Sequence, residues 1–179
     1  LQLDELPTRE RLEANMIELA SGATDIVPIL HGFKNTQHMR VGIRDILNRD
    51  EVRQTQKSLA DVAEICLKAV ADFQYQRLLR KYAARDEKQF PAISDCPLVI
   101  LALGKLGRGE PNYHSDLDVI FLYDSVAIEP PSIGGRCFTD FLQEGITEQF
   151  FFSELAAAIT QTITHHSQSG RLYEIDSRL

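Results

Sequence analysis

No hydrophobic run in this sequence approaches the roughly 18–20 consecutive apolar residues that span a membrane, so we expect no contact with a membrane. No signal peptide is visible in residues 1–7, which are acidic and contain no long apolar core. Because the chain starts with leucine and not with methionine, we expect it to be a piece of a longer protein.

Cysteine is scarce, and the three thiols lie far apart in the sequence, at Cys66, Cys96 and Cys137. An odd number of cysteines without a C-x-x-C pair argues against a disulfide framework and against a zinc site. We therefore expect reduced thiols and a cytoplasmic location.

Positive charge is also limited, because 19 lysines and arginines stand against 26 aspartates and glutamates, a formal net charge of −7. Binding to nucleic acid usually depends on a basic surface, so this balance disfavours DNA or RNA as a partner. The composition is otherwise ordinary for a globular protein, with 44% hydrophobic and 25% charged residues. The 179 residues suffice for one domain or two small ones.

The first half of the chain has the periodicity of helices. Apolar residues recur at steps of three and four across residues 51–82, where neither proline nor glycine interrupts them. Residues 8–20, with Thr8 as N-cap, and residues 33–48 also show helical patterns. We therefore predict helices over these three stretches, the longest being one long helix or two nearly continuous ones, within a helical region over residues 1–90.

The second half changes character and predicts a small sheet. Residues 97–103 form a continuous apolar run before a glycine, which is typical of a buried central strand. Residues 116–123 and 171–176 predict two further strands, with a helix over residues 138–165 between them. The chain is thus predicted to be α+β, a helical N-terminal region followed by a strand–turn–strand–helix–strand unit over residues 91–179.

The most informative motif is Asp116-Leu117-Asp118, at the start of the predicted second strand. Residues i and i+2 of a strand project from the same face, so the two carboxylates lie close together and repel each other. A divalent cation is the usual counter-charge, and Mg²⁺ prefers one or two carboxylates together with phosphate oxygens. Asp116 and Asp118 are therefore candidate metal ligands and catalytic residues for phosphoryl or nucleotidyl transfer.

A third carboxylate, Asp176, lies on the predicted third strand and completes a candidate metal site if that strand pairs beside the second. Two magnesium ions held there would stabilise the attacking and leaving oxygens of an in-line displacement. Glu174 is a competing candidate, because it projects from the same face as Asp176.

A glycine-rich turn precedes the acids and is a candidate binding site for the phosphates of a nucleotide. Gly104 and Gly107 allow a close approach of the backbone, and the amides of such a turn can bind anions. Lys105 and Arg108 can neutralise phosphate charge, and Ser115 can either donate a hydrogen bond to a phosphate or fix the turn. The turn is not a Walker A loop, because no Gly-Lys-Ser/Thr follows a four-residue spacer.

Each of these features also has a plain structural explanation. An isolated Asp-x-Asp is most often a pair of solvated carboxylates or a helix cap, and an isolated glycine turn is most often a hairpin or loop. Asp176 alone is equally well explained by a salt bridge or a strand end. The order of apolar strand, glycine turn and acid strand favours a nucleotide site over these alternatives.

Three segments resemble the glutamine synthetase adenylyltransferase family, which belongs to the polymerase-beta-like nucleotidyltransferases. They read GKLG at residues 104–107, SDLDVIFLYD at residues 115–124 and GRLYEIDSRL at residues 170–179. Residues 33–79 are similar to the helical region that precedes the catalytic part in that family. The sequence departs from the superfamily at Lys105, where a serine is usual.

This resemblance implies that residues 91–179 are a polymerase-beta-like nucleotidyltransferase core, which uses Mg²⁺ to transfer AMP from ATP to a tyrosine of glutamine synthetase. It implies two partners, glutamine synthetase and a nitrogen-signalling regulatory protein. The family enzyme carries a second copy of the domain that removes the AMP by phosphorolysis, and both copies share the same acids. Residues 121–124 and 173–176 look more like the adenylylating copy.

Two other classes stay open at this point. One is a different nucleotidyltransferase, which modifies an antibiotic or a nucleic acid, and the helical first half argues against it. The other is a noncatalytic regulatory domain with a decayed site, and the intact set of acids argues against that.

Overall fold

The computed structural model describes residues 3–84, 91, 93–123, 132–133, 136–167 and 170–178. These residues form five α-helices: α1 (Arg9–Ala20), α2 (Val27–Ile46), α3 (Val52–Tyr82), α4 (Gly104–Gly107) and α5 (Glu148–Thr164). They also form five strands: β1 (Leu98–Ala102), β2 (Leu117–Tyr123), β3 (Ser132–Ile133), β4 (Arg136–Cys137) and β5 (Ile175–Arg178). Two short 3₁₀ helices cover Ile93–Asp95 and Phe138–Phe141.

Three helices form the N-terminal part, as the periodicity predicts. α1 begins after Thr8, whose hydroxyl accepts a hydrogen bond from the Arg11 amide at 3.4 Å. α3 is one continuous helix, and Glu51 and Gln54 form a capping box at its start. None of the helices in the described ranges combines the length and the apolar character needed to cross a bilayer.

α2 begins earlier than residue 33, where the sequence pattern places its start. It starts at Val27 with Pro28 in the first turn, a position at which the missing amide hydrogen has no helical partner to lose. Near its end, the buried Arg44 donates hydrogen bonds of 2.6 and 2.7 Å to the two carboxylate oxygens of Asp50. α2 is therefore a firmly held element, and one of its faces packs against α3.

The three-stranded sheet has the order β1-β2-β5, with β1 antiparallel and β5 parallel to β2. The prediction that residues 97–103 form the central strand is wrong, because β1 lies at one edge of this sheet and β2 at its centre. Alternate side chains of β1 are exposed, and Val99 and Leu101 reach 57% and 45% exposure. A continuous apolar run predicts the strand but does not show whether both of its faces are covered.

The predicted helix over residues 138–165 is shorter than its apolar pattern suggests. A turn with Gly145 at a φ of +88° separates a 3₁₀ helix from α5, and the hydroxyl of Thr147 caps α5. The third strand likewise begins at Ile175 and not at residue 171. Tyr173, two residues before this strand, contacts His38 and Lys34 of α2.

One hydrophobic core joins the helices to the inner face of the sheet. The rings of Tyr75, Phe138 and Phe151 have centroids 5.1 to 6.4 Å apart, where α3, α5 and a 3₁₀ helix meet. Val119 of β2 belongs to the same cluster. The predicted domain boundary at residue 90 lies outside the described residues and stays a prediction.

Replacement of Phe151 by alanine is expected to lower the free energy of unfolding by about 3–5 kcal/mol, because it leaves a cavity in this core. The Phe151 side chain is 0% exposed, whereas the neighbouring Phe150 is 44% exposed. Urea unfolding followed by circular dichroism measures the change, with Phe150→Ala as the matched control. A loss for Phe151→Ala no larger than that of the control would contradict the packing.

Candidate active site

Two of the predicted acids lie directly opposite each other on neighbouring strands. Asp118 of β2 is the Cα partner of Asp176 of the parallel strand β5. Paired residues of parallel strands project from the same face, and neighbouring strands lie roughly 4.8 Å apart. Leu117 and its partner Ile175 take the opposite face, where Leu117 is buried. The carboxylates of Asp118 and Asp176 therefore share the outer face of the sheet.

The third predicted acid, Asp116, is exposed and immediately precedes β2. Within the described ranges, no three His, Cys, Asp or Glu side chains form a group that could hold a metal ion. The structure thus brings Asp118 and Asp176 together by register, but it does not gather a three-acid cluster. The role of the three acids as metal ligands stays a prediction, with Asp118 and Asp176 as the best-placed pair.

Gly104 allows the glycine turn to lie close against β2, the strand that carries Asp118. A Cβ atom on Gly104 would lie 2.0 Å from Oδ2 of Asp118, and the residue has a φ of +55°. The Leu103 amide donates a hydrogen bond of 2.8 Å to the Asp118 carbonyl. Glycine alone combines the left-handed backbone with the missing side chain. The Asp118 carboxylate therefore fills the space that a side chain at position 104 would need.

The glycine turn itself is a single helical turn, α4. The Gly107 amide donates to the Leu103 carbonyl at 2.7 Å, and the Gly109 amide donates to the Leu106 carbonyl at 2.9 Å. These two amides of the turn, which the sequence pattern predicts to bind phosphate, are therefore hydrogen-bonded to backbone carbonyls. A Cβ on Gly107 would lie 2.6 Å from the Ala102 carbonyl oxygen, so this glycine permits the close contact between α4 and β1.

The polar residues predicted to bind phosphate lie around this turn. Lys105 is exposed, and Arg108 forms an exposed ion pair of 3.4 Å with Glu110. The Ser115 hydroxyl accepts a hydrogen bond from the Asn112 amide and donates one to the Asn112 side-chain oxygen, both at 2.9 Å. Ser115 therefore fixes the turn before the acids, which is one of its two predicted roles. Phosphate binding by the turn residues stays a prediction.

Glu174, the competing third acid, is engaged elsewhere. Its Oε2 atom forms an ion pair with Nη1 of Arg171. Its carbonyl accepts a hydrogen bond of 2.9 Å from the Leu117 amide. These contacts favour Asp176 over Glu174 as the partner of Asp118.

Sequence reasoning missed a cluster of side chains beside the segments that lead into β2 and β5. His38 of α2 lies between Tyr113 and Tyr173, with ring centroids 6.0 and 6.3 Å away. Lys34, one helical turn earlier, has its ammonium 4.2 Å from the centre of the Tyr173 ring. The sequence does hold a signal, because each tyrosine stands three residues ahead of a candidate acid.

Burial, together with the smaller effect of the charges of Lys34 and His114, lowers the pKa of His38 to about 4. The unfolded histidine has a pKa of about 6.5, so the unfolded state takes up the proton first as the pH falls. The free energy of unfolding is therefore expected to decrease between about pH 6.5 and pH 4, by on the order of 2 kcal/mol after allowance for partial exposure.

Urea unfolding at a series of pH values, with His38→Phe as the comparison, tests this expectation. The wild-type protein should lose more stability than the variant between neutral and acidic pH. Burial also lowers the pKa of His31, but that residue is present in both proteins and cancels in the difference. Parallel pH curves for the two proteins would contradict the burial of a neutral His38.

Comparison with known proteins matches nearly the whole chain to one family. The family model described as glutamate-ammonia ligase adenylyltransferase matches residues 3–179. The match includes β2 and β5, which carry Asp118 and Asp176, together with the glycine turn and the helices that precede it.

Three relatives carry the name bifunctional glutamine synthetase adenylyltransferase/adenylyl-removing enzyme. The protein from Methylococcus capsulatus is 32% identical over 155 residues and covers 84% of this chain. Those from Alteromonas mediterranea and Shewanella loihica are each 28% identical, over 163 and 175 residues, and cover 91% and 96% of it. The chain spans 15% to 17% of the length of these relatives.

Proposed function

Because this chain belongs to the glutamate-ammonia ligase adenylyltransferase family, we propose that it provides a nucleotidyltransferase site that transfers AMP from ATP to a tyrosine of glutamine synthetase. The observation that carries the proposal is the parallel pairing of Asp118 with Asp176 on the open face of the sheet. The names of the relatives supply the protein substrate.

The residues at this site fit a magnesium ion bound together with a nucleotide. Carboxylates are hard oxygen ligands, and Mg²⁺ is commonly held by one or two of them with phosphate oxygens in further positions. Asp118 and Asp176 would hold the ion, with Asp116 as an additional candidate. Bound there, it would neutralise the triphosphate and stabilise the leaving pyrophosphate.

The remaining chemistry concerns the acceptor hydroxyl. A tyrosine hydroxyl has a pKa of about 10, so it must give up its proton as its oxygen attacks the α-phosphorus. Asp176 is exposed, and its carboxylate can accept that proton. Gly104 keeps the Asp118 carboxylate against the turn, so this carboxylate is positioned before the substrates arrive.

Removal of AMP is the second candidate activity, because the relatives' name also includes adenylyl removal. Inorganic phosphate would then attack the phosphorus of the tyrosine-bound AMP, the tyrosine oxygen would leave and take up a proton, and ADP would be the product. Asp118 and Asp176 would serve whichever of the two reactions this chain carries out. With either activity, we propose a cytoplasmic location and a nitrogen-signalling protein as the regulatory partner.

Labelled transfer separates the two activities. The complete protein is incubated with glutamine synthetase and with ATP labelled at the α-phosphate, and phosphate is added in a second step. Labelled glutamine synthetase reports transfer, and labelled ADP after the addition of phosphate reports removal. The activity that Asp118→Asn abolishes belongs to this chain. Retention of both activities in that variant would contradict the proposal.

A further inference from the structure

We infer that α2 positions the two paired acids, by clamping the segments that lead into their strands. The first lead, residues 112–115, precedes β2, and the second lead, residues 171–174, precedes β5. His38 and Lys34 are the positioning residues of this clamp. The inference rests on the proposed function, because it assigns these residues a role in spacing Asp118 from Asp176.

His38 separates the two leads. Its ring meets Tyr113 of the first lead and Tyr173 of the second in edge-to-face contacts, with interplanar angles of 79° and 65°. The Tyr173 hydroxyl also lies 3.5 Å from Nε2 of His38. Edge-to-face contacts of this kind hold aromatic rings at a defined distance. His38 therefore contacts both leads at once and ties their positions to α2.

Lys34 anchors the second lead to α2. Its ammonium donates a hydrogen bond to the Leu172 carbonyl and lies over the face of the Tyr173 ring. The Lys34 side chain is partly buried, and this burial lowers the pKa of its amine. A partly buried amine needs such contacts, so the anchor defines one position for this lead.

The first lead is fixed to the same face of α2. The Tyr113 hydroxyl donates a hydrogen bond of 3.4 Å to Asp45. A Cβ on Gly42 would lie 3.8 Å from the Tyr113 hydroxyl oxygen, so the ring lies against the helix backbone at that turn. Residues 34, 38, 42 and 45 recur at helical spacing and form one continuous contact face.

The leads transmit their positions to the acids over a short distance. Tyr173 stands three residues before Asp176 and Tyr113 stands five residues before Asp118. The Leu117 amide of β2 donates a 2.9 Å hydrogen bond to the Glu174 carbonyl of the second lead. Because Arg44 and Asp50 hold the end of α2, the helix is a fixed reference for both leads. Loss of the His38 ring or of the Lys34 ammonium would therefore alter the distance between the Asp118 and Asp176 carboxylates without removing either carboxylate.

Binding of Mn²⁺ in the presence of ATP, measured by electron paramagnetic resonance on this chain, tests the consequence for the acids. His38→Ala and Lys34→Met are each expected to weaken Mn²⁺ binding by about tenfold. This is the lower end of the effect of removing a residue that supports a metal ligand. His38→Phe retains a ring between the tyrosines and should bind as the wild type does. Met39→Ala, at a 59% exposed position on the same helix, is the matched control.

Amide hydrogen exchange of the metal-free chain tests the clamp without any ligand. Exchange across residues 112–118 and 172–178 should be faster in His38→Ala and Lys34→Met than in the wild type, and unchanged in Met39→Ala. If His38→Ala does not unfold cooperatively on heating, Lys34→Met decides the result. Wild-type exchange and wild-type Mn²⁺ affinity in a folded variant would overturn the inference. Failure of the wild-type chain to bind Mn²⁺ would instead contradict the proposed function. In that case the amide exchange rates would still test whether α2 holds the two leads in place.

Discussion

Replacement of Asp118 by asparagine is expected to reduce AMP transfer by roughly a thousandfold while leaving the fold intact. The amide has nearly the shape of the carboxylate but no charge, so it is a poor ligand for a divalent cation. The fold should persist, because the hydrogen bond from the Leu103 amide reaches the Asp118 carbonyl and not its side chain. Initial rates of label transfer at saturating ATP, together with the thermal midpoint, measure both effects.

The neighbouring acids provide the matched comparison for this prediction. Asp116→Asn should also abolish transfer if that residue joins the site. Asp176→Ala should lose more activity than Glu174→Ala, because Glu174 is already paired with Arg171. Near-normal transfer in Asp118→Asn would refute the metal role, and a greater loss in Glu174→Ala would reassign the third ligand.

Replacement of Gly104 by alanine is expected to abolish transfer nearly as completely as loss of the Asp118 carboxylate. A methyl group there would lie 2.0 Å from Oδ2 of Asp118, so the carboxylate or the turn must move. The left-handed backbone at a φ of +55° adds a destabilisation of about 1–2 kcal/mol. Urea unfolding and label transfer, measured on the same preparation, separate the two consequences.

Gly22 offers a matched control for the backbone effect. It has a φ of +73°, but a Cβ there would meet no atom within 4 Å. Gly22→Ala should therefore lose similar stability and retain transfer activity. Equal transfer rates for Gly104→Ala and Gly22→Ala would show that the contact with Asp118 does not matter for the reaction.

The long helix was predictable from sequence because its signal is local. Across α3, apolar residues recur at helical spacing without a glycine or proline, and the helix forms as one piece. β1 shows the limit of the same reasoning, since its apolar run predicts a strand while Val99 and Leu101 remain exposed. Whether a face is covered depends on elements far away in the chain, which a local pattern does not contain.

In the candidate site, too, some features were predictable from local sequence and others depend on tertiary packing. The two strands that carry Asp118 and Asp176 are predicted from the order of apolar and polar residues, and the structure supplies the register that places both acids on one face. The helical character of α4 and the place of His38 between two tyrosines depend on tertiary packing. Spacing alone therefore indicated which acids to consider, but not which contacts hold them in place.

A crystal structure of the chain with Mn²⁺ and a nonhydrolysable ATP analogue tests the central claim most directly. The pairing of Asp118 with Asp176 predicts an anomalous peak within coordinating distance of both carboxylates and of the nucleotide phosphates. A fully occupied nucleotide with no such peak, or with the metal held by other side chains, would contradict the account.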